Sequence, residues 1–135
     1  MNKIRFSLML LLMSLSLSVM AQKKQAQMRF DDTSIDFGTF SMDNPVRKGK
    51  FKFHNVGKAR LVINFVQTSC GCTVADFPKD PIAPGGEGEI QITYNGKGKM
   101  PGKFMKTITV YSNSDYPEMK LMVKGDMTAV PGKKK

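Results

Sequence analysis

The chain contains no tryptophan, one histidine and only two cysteines, and its 21 Lys and Arg face just 11 Asp and Glu. Each shortage excludes something. Two cysteines cannot make a disulfide framework, so any fold must stand on its hydrophobic core. Without tryptophan, and with both cysteines at Cys70 and Cys72, the antibody type of sandwich is excluded, because that fold staples opposite sheets with widely spaced cysteines around a buried tryptophan. A single histidine, His54, cannot complete a zinc site with two cysteines, which needs two further ligands. No nucleophile elbow, phosphate-binding loop or zincin motif occurs. No window carries apolar residues at the period of a surface helix, and no segment repeats.

The first residues read as an export signal spanning 1–21. Lys3 and Arg5 form a positive start, Phe6 to Met20 is apolar apart from serines, and Val19-Met20-Ala21 precedes Gln22 as a cleavage site. The apolar run is about fifteen residues, short of the roughly 20 that span a membrane. No cysteine follows it, so a lipid anchor is not expected. Periplasmic or secreted localisation follows, with no membrane span after cleavage. The formal charge of +10 is partly an effect of the ends, because Lys23, Lys24, Lys133, Lys134 and Lys135 lie outside the patterned body. Residues 22–27 read as a flexible polar leader and 128–135 as a basic flexible tail.

Between them, 28–127 is written in β alternation. Met28 and Phe30 alternate, and Ile35 to Phe40 is rich in β-branched and aromatic residues. In 46–54, Phe51 and Phe53 oppose Lys48, Lys50 and Lys52. The run 61–66 offers Leu61, Ile63 and Phe65 as a core face, and a hairpin with 46–54 about the turn at Asn55-Val56-Gly57-Lys58 is expected. The prolines at 78, 81 and 84 exclude a central strand and suggest a stiff loop between sheets. Residues 89–95, 104–111 and 119–124 alternate again, with Ile108, Val110, Leu121 and Val123 inward. The expected fold is therefore all-β, a β-sandwich of about seven antiparallel strands. The lysines at 48, 50 and 52 with those at 120 and 124 suggest a common cationic sheet face. Nucleic-acid binding would want exposed aromatics beside it, and export argues against that partner.

Chemistry beyond packing would centre on Cys70-Gly71-Cys72. Residues i and i+2 of a straight strand sit about 6.6 Å apart, whereas a disulfide wants Cα atoms roughly 5.5–6 Å apart. The two cysteines join only if the backbone bends, and Gly71 is the supporting turn residue expected to allow it. Such a bond closes three residues and is worth only about 1.6 kcal/mol of chain entropy. Three readings stay open: a shaped loop with no chemistry, a thiol-redox pair, or a soft-metal site for Cu(I) or half a zinc site. His54 is not expected to partner either cysteine. Glu87 and Glu89 share a strand face without a cleft, and Asp31, Asp32 and Asp36 lack calcium-loop spacing.

Several phrases together resemble the DUF1573 family of exported bacterial domains: Ile35-Asp36-Phe37-Gly38, Phe53-His54-Asn55-Val56-Gly57, Ser69-Cys70-Gly71-Cys72-Thr73, Ile82-Ala83-Pro84-Gly85-Gly86 and Ser112-Asn113. Gly86 stands where the family often has an acidic or polar residue. The resemblance implies an immunoglobulin-like sandwich, related to the major sperm protein and the ASPM/SPD-2/hydin domains, and it implies no activity. The expectation is a non-enzymatic binding or scaffolding module of the bacterial cell envelope, with protein partners and no cofactor. A thiol-redox or Cu(I)-binding role of Cys70 and Cys72 is the alternative.

Overall fold

A computed structural model describes residues 3–4 and 23–130. The export signal therefore lies almost wholly outside the described residues, as do 131–135 of the basic tail. Residues 23–130 form eight strands and no helix: β1 (Met28–Phe30), β2 (Ser34–Ser41), β3 (Val46–Asn55), β4 (Ile63–Thr68), β5 (Thr73–Asp76), β6 (Glu87–Asn95), β7 (Gly102–Ser112) and β8 (Glu118–Thr128). One sheet has the order β1-β3-β6-β5 and the other β2-β8-β7-β4. The fold is a two-sheet immunoglobulin-like sandwich.

Alternation places the core between the sheets. In the first sheet Phe51 lies opposite Ile90 across β3 and β6, and Phe51, Phe53, Ile90 and Ile92 are buried. The second sheet contributes Ile108, Val110, Leu121 and Val123. Burying each such side chain is worth about 1.5–3 kcal/mol. Phe53 fills the space over Gly88, where a Cβ would come 2.6 Å from its ring.

Several expectations need correction. The strands number eight, close to the expected seven, but not all pairs are antiparallel: β2 pairs parallel to β8. The extra strand, β5, is four residues long and too short to declare itself by alternation. The hairpin between 46–54 and 61–66 does not form: β3 pairs with β1 and β6, whereas β4 pairs with β7. The turn at 55–60 carries the chain across the sandwich instead. The proline-rich loop links β5 to β6 within one sheet, and reaches across to bridge Ile82 to Leu61.

Leu61 and Ile63 are buried as expected, but Phe65 is 51% exposed. The β4–β7 register slips between Ile63 and Phe65, and an added residue in a strand turns the later side chains to the other face. The lysines do not merge either, since β3 and β8 belong to different sheets. Lys50 and Lys52 instead pair with Glu89 and Glu87, each at 3.3 Å.

The leader is not free of the body. Ala26 is buried and bridges to Ser114, Gln27 O accepts from Val56 N, and Gln25 O accepts from Lys58 N, both at 2.9 Å. Ala26 is in phase with Met28 and Phe30, a signal that the surrounding glutamines concealed. The strip passes so close to Gly57 that a Cβ there would lie 2.5 Å from Gln27 N. At the other boundary, β8 runs to Thr128, one residue into the stretch expected as tail.

Asn55 ties this end of the sandwich together. Its buried Nδ2 donates to Ala59 O at 2.8 Å and Ile82 O at 3.0 Å, while Oδ1 accepts from Gly57 N at 3.1 Å and Gln27 N at 3.3 Å. Gly85 N donates to Asn55 O, and Asn55 N donates to Gly86 O. The phrases Asn55-Val56-Gly57 and Pro84-Gly85-Gly86, well separated in sequence, thus form one structural knot.

Candidate functional site

The two cysteines lie at the opposite end. β4 is an edge strand of the second sheet and β5 an edge strand of the first, so Ser69-Cys70-Gly71-Cys72 is the corner at which the chain changes sheets. Cys70 and Cys72 are joined in a disulfide, with Cα atoms 5.2 Å apart. That is well short of the straight-strand spacing, so the backbone bends as the geometry required. Gly71 keeps a negative φ and a Cβ there would meet nothing within 4 Å. The bend at this residue therefore lies within reach of residues other than glycine.

Hydrogen bonds hold the corner on both sides. Thr73 N donates to Cys70 O at 3.1 Å, Thr68 Oγ1 donates to the same oxygen at 3.2 Å, and Asn95 N donates to Cys72 O at 2.8 Å. Ser69 N donates to Thr107 O and Ser69 Oγ accepts from Thr107 N, at 3.0 and 3.1 Å. Cys72 N points at Cys70 Sγ, 3.2 Å away. Both cysteines are half-buried.

Beneath the corner lies a second, smaller core of Phe40, Tyr94 and Met127, with Met42, Phe104 and Cys72 packed against it. Tyr94 and Phe104 stack at 4.1 Å, Phe40 stands edge-on to both, and Arg47 lies 4.2 Å over the Phe40 ring. Burial of Tyr94 pushes its phenol above the ordinary tyrosine range. Two of the methionines, Met42 and Met127, thus share this end with the cysteine pair.

His54 stands apart from the sulfurs. Its Nε2 meets Asp31 Oδ1 at 2.9 Å and its Nδ1 lies 3.7 Å from Glu87 Oε2. Glu87 begins β6, whereas Thr73 is paired to Tyr94 near its end, a separation of about 23 Å at strand rise. Among the described residues no group of three or more His, Cys, Asp or Glu is placed to hold a metal. The disulfide-bonded sulfurs offer no thiolate for Cu(I) until they are reduced.

Two surface features are invisible to local pattern. Alternation puts Phe65 in the core, yet it stacks on Tyr111 at 4.3 Å and 16° on the outer face of the second sheet, beside the open edge of β4. The run Gly96 to Gly102 is the other: it joins the sheets beyond the small core, and its Met100 is 82% exposed.

No curated protein matches the sequence. Among solved structures, the chain is similar to a protein of unknown function from Porphyromonas gingivalis W83, at 20% identity and a TM-score of 0.67 over 82% of this chain and 51% of that one. It spans about half the length of that relative. It is also similar to the ASH/PapD-like domain 7 of human CEP192, at 9% identity and a TM-score of 0.63 over 84% and 94% of the two chains. The YadV chaperone matches at 12% identity and a TM-score of 0.56, over 79% of this chain and 55% of that one. At these identities the likeness is one of fold. Residues 28–127 match the family model of DUF1573, a protein family of unknown function, and this chain belongs to that family.

Proposed function

We propose that this protein is a non-enzymatic binding module of the bacterial cell envelope that takes an extended segment of a protein partner along β4. The observation that carries this reading is the exposed Phe65, stacked on half-buried Tyr111, beside an edge strand that has no paired strand on its outer side among the described residues. Strand addition draws its affinity from the open backbone row and its specificity from pockets or platforms beside it. The other edges are less suited. β1 has three residues, β5 (Thr73–Asp76) carries no aromatic side chain, and β2 is broken by a register shift at Asp36/Thr39 with Gly38 at φ 67°; very short and bulged edges resist pairing. Phe65 to Thr68 runs in regular register behind its own bulge. The envelope location rests on the apolar run after Lys3 and Arg5.

A photo-crosslinking residue at exposed Gln67 tests the proposal in the source bacterium. It should give a discrete adduct that Phe65→Lys removes, while the same probe at Lys50 gives none. Equal labelling at both positions, or labelling untouched by Phe65→Lys, would refute it.

The disulfide favours a second reading. A three-residue ring adds little stability, and both cysteines are only half-buried at a corner. In thiol exchange a partner dithiol would attack the Cys70–Cys72 bond, leaving two thiols here and a disulfide in the partner. Cys70→Ser and Cys72→Ser proteins that complement a deletion strain fully would rule this out.

A further inference from the structure

We propose that the loop Gly96–Gly102 is a docking surface for an anionic phospholipid bilayer. It carries Lys97 and Lys99, with Lys103 directly after it, and no acidic residue. Met100 stands 82% exposed at its tip beside Pro101. Gly98 and Gly102 hold φ values of 75° and 133°, backbone conformations that favour glycine. A groove behind it is lined by Met42, Met100, Pro101, Ala129 and Val130 together with Asp43 and Lys99.

Three of the sheet lysines are paired, while Lys48, Lys106 and Lys120 on the strands have no carboxylate within 4.0 Å among the described residues. Lys50, Lys52 and Lys124 each have a carboxylate within 4.0 Å. Among the described residues, Lys97, Lys99 and Lys103 have none within that reach. Three acids lie near this end: Asp43 in the groove, Asp126 opposite Lys103 in the β7–β8 register, and Asp36, which shares a cavity with Lys103 and is paired with Lys124. They leave the loop itself cationic.

An exposed methionine with lysines close on either side in the chain matches the layering of a bilayer surface. The lysines meet headgroup phosphates while the thioether enters the acyl boundary. A purely polyanionic partner would use the lysines and leave Met100 in water. The apolar tip therefore favours lipid. The surface lies at the far end of the sandwich from Asn55, and the proposal does not depend on the β4 reading.

All eight strands lie between Met28 and Thr128, so protein shown by mass to begin at Gln22 carries the whole fold without the apolar run before it. Its flotation with phosphatidylcholine vesicles, with and without phosphatidylglycerol, measures the partition constant. Binding should require phosphatidylglycerol and weaken as salt rises. Each lysine is worth about fivefold near an anionic surface, so Lys97→Gln with Lys99→Gln should lower binding about 25-fold at low salt. Met100→Ser should lower it several-fold without changing the salt slope. Since the chain has no tryptophan, Met100→Trp gives a single probe whose emission should shift to the blue on docking. Tyr116→Trp, in the β7–β8 turn at the other end, should not shift.

Three results would overturn the proposal: equal binding to neutral vesicles, no binding to either kind, or loss of binding only in a Lys23→Gln, Lys24→Gln, Lys58→Gln protein. A soluble polyanion that competes fully, while the indole emission of Met100→Trp stays unshifted on vesicles, would also overturn it, in favour of polyanion recognition.

Discussion

Asn55→Ala is the substitution whose cost comes most directly from the structure. Asn55 is fully buried and makes four side-chain hydrogen bonds to the backbone of three segments. Ile82 O keeps a second donor, Leu61 N at 2.9 Å. Ala59 O, Gly57 N and Gln27 N lose the partner that Asn55 supplies. Each unsatisfied group costs about 1–3 kcal/mol, and the partial burial of these bonds admits some water and favours the low end. The sum is about 3–5 kcal/mol, out of roughly 5–15 kcal/mol for a whole domain. For a domain near 100 residues this lowers the Tm by on the order of 15 °C. Thermal unfolding followed by circular dichroism measures it. Asn113 supplies the control. It makes a similar pair of side-chain bonds, accepting from Val62 N at 2.7 Å and donating to Arg60 O at 2.9 Å, but it is exposed. Water replaces those partners, so Asn113→Ala should cost no more than about 1 kcal/mol. If Asn55→Ala costs no more than Asn113→Ala, burial is not what makes these bonds matter. Asn55→Asp sharpens the test. A buried carboxyl facing two carbonyl oxygens favours its protonated form, so its folded pKa lies above the unfolded value. The stability of Asn55→Asp should then be greatest at acid pH and fall as pH rises through that folded pKa.

Other outcomes are equally definite. Gly57→Ala should displace residues 25–27, because a Cβ there meets Gln27 N at 2.5 Å; hydrogen exchange at the amides of Val56 and Lys58 should then accelerate well before that of β3 and β6. Replacing both cysteines by serine should lower stability in urea by no more than about 1.6 kcal/mol, and a loss beyond about 3 kcal/mol would show that the corner braces the two sheets. Burial raises the Tyr94 phenol, so the stability tied to its neutral form is complete below the unfolded value of about 10 and falls as pH rises through the higher folded value. Tyr94→Phe should remove that part of the alkaline decline in urea titrations, and an unchanged decline would assign it to other groups.

The sequence by itself determined the β class, the two-layer core and the closeness of the two cysteines. Alternation with period two is a local property, and a strand carrying Phe51 and Phe53 against three lysines has only one face to bury. It equally determined that Cys70 and Cys72 could join only across a bend. The partners of each strand were decided by tertiary structure. The turn after Asn55 suits a hairpin as well as a crossing, and the crossing wins because a buried Asn55 can then bond Ile82, Ala59, Gly57 and Gln27 at once. The register slip that brings Phe65 to the surface against Tyr111, the binding of Ala26 into the body and the pairing of Lys50 and Lys52 with Glu89 and Glu87 all depend on neighbours distant in sequence. The candidate surfaces lie in this second category. Exposure of an aromatic on an edge, or of a methionine among unpaired lysines, is a property of what remains uncovered after packing, and local pattern carries no record of that.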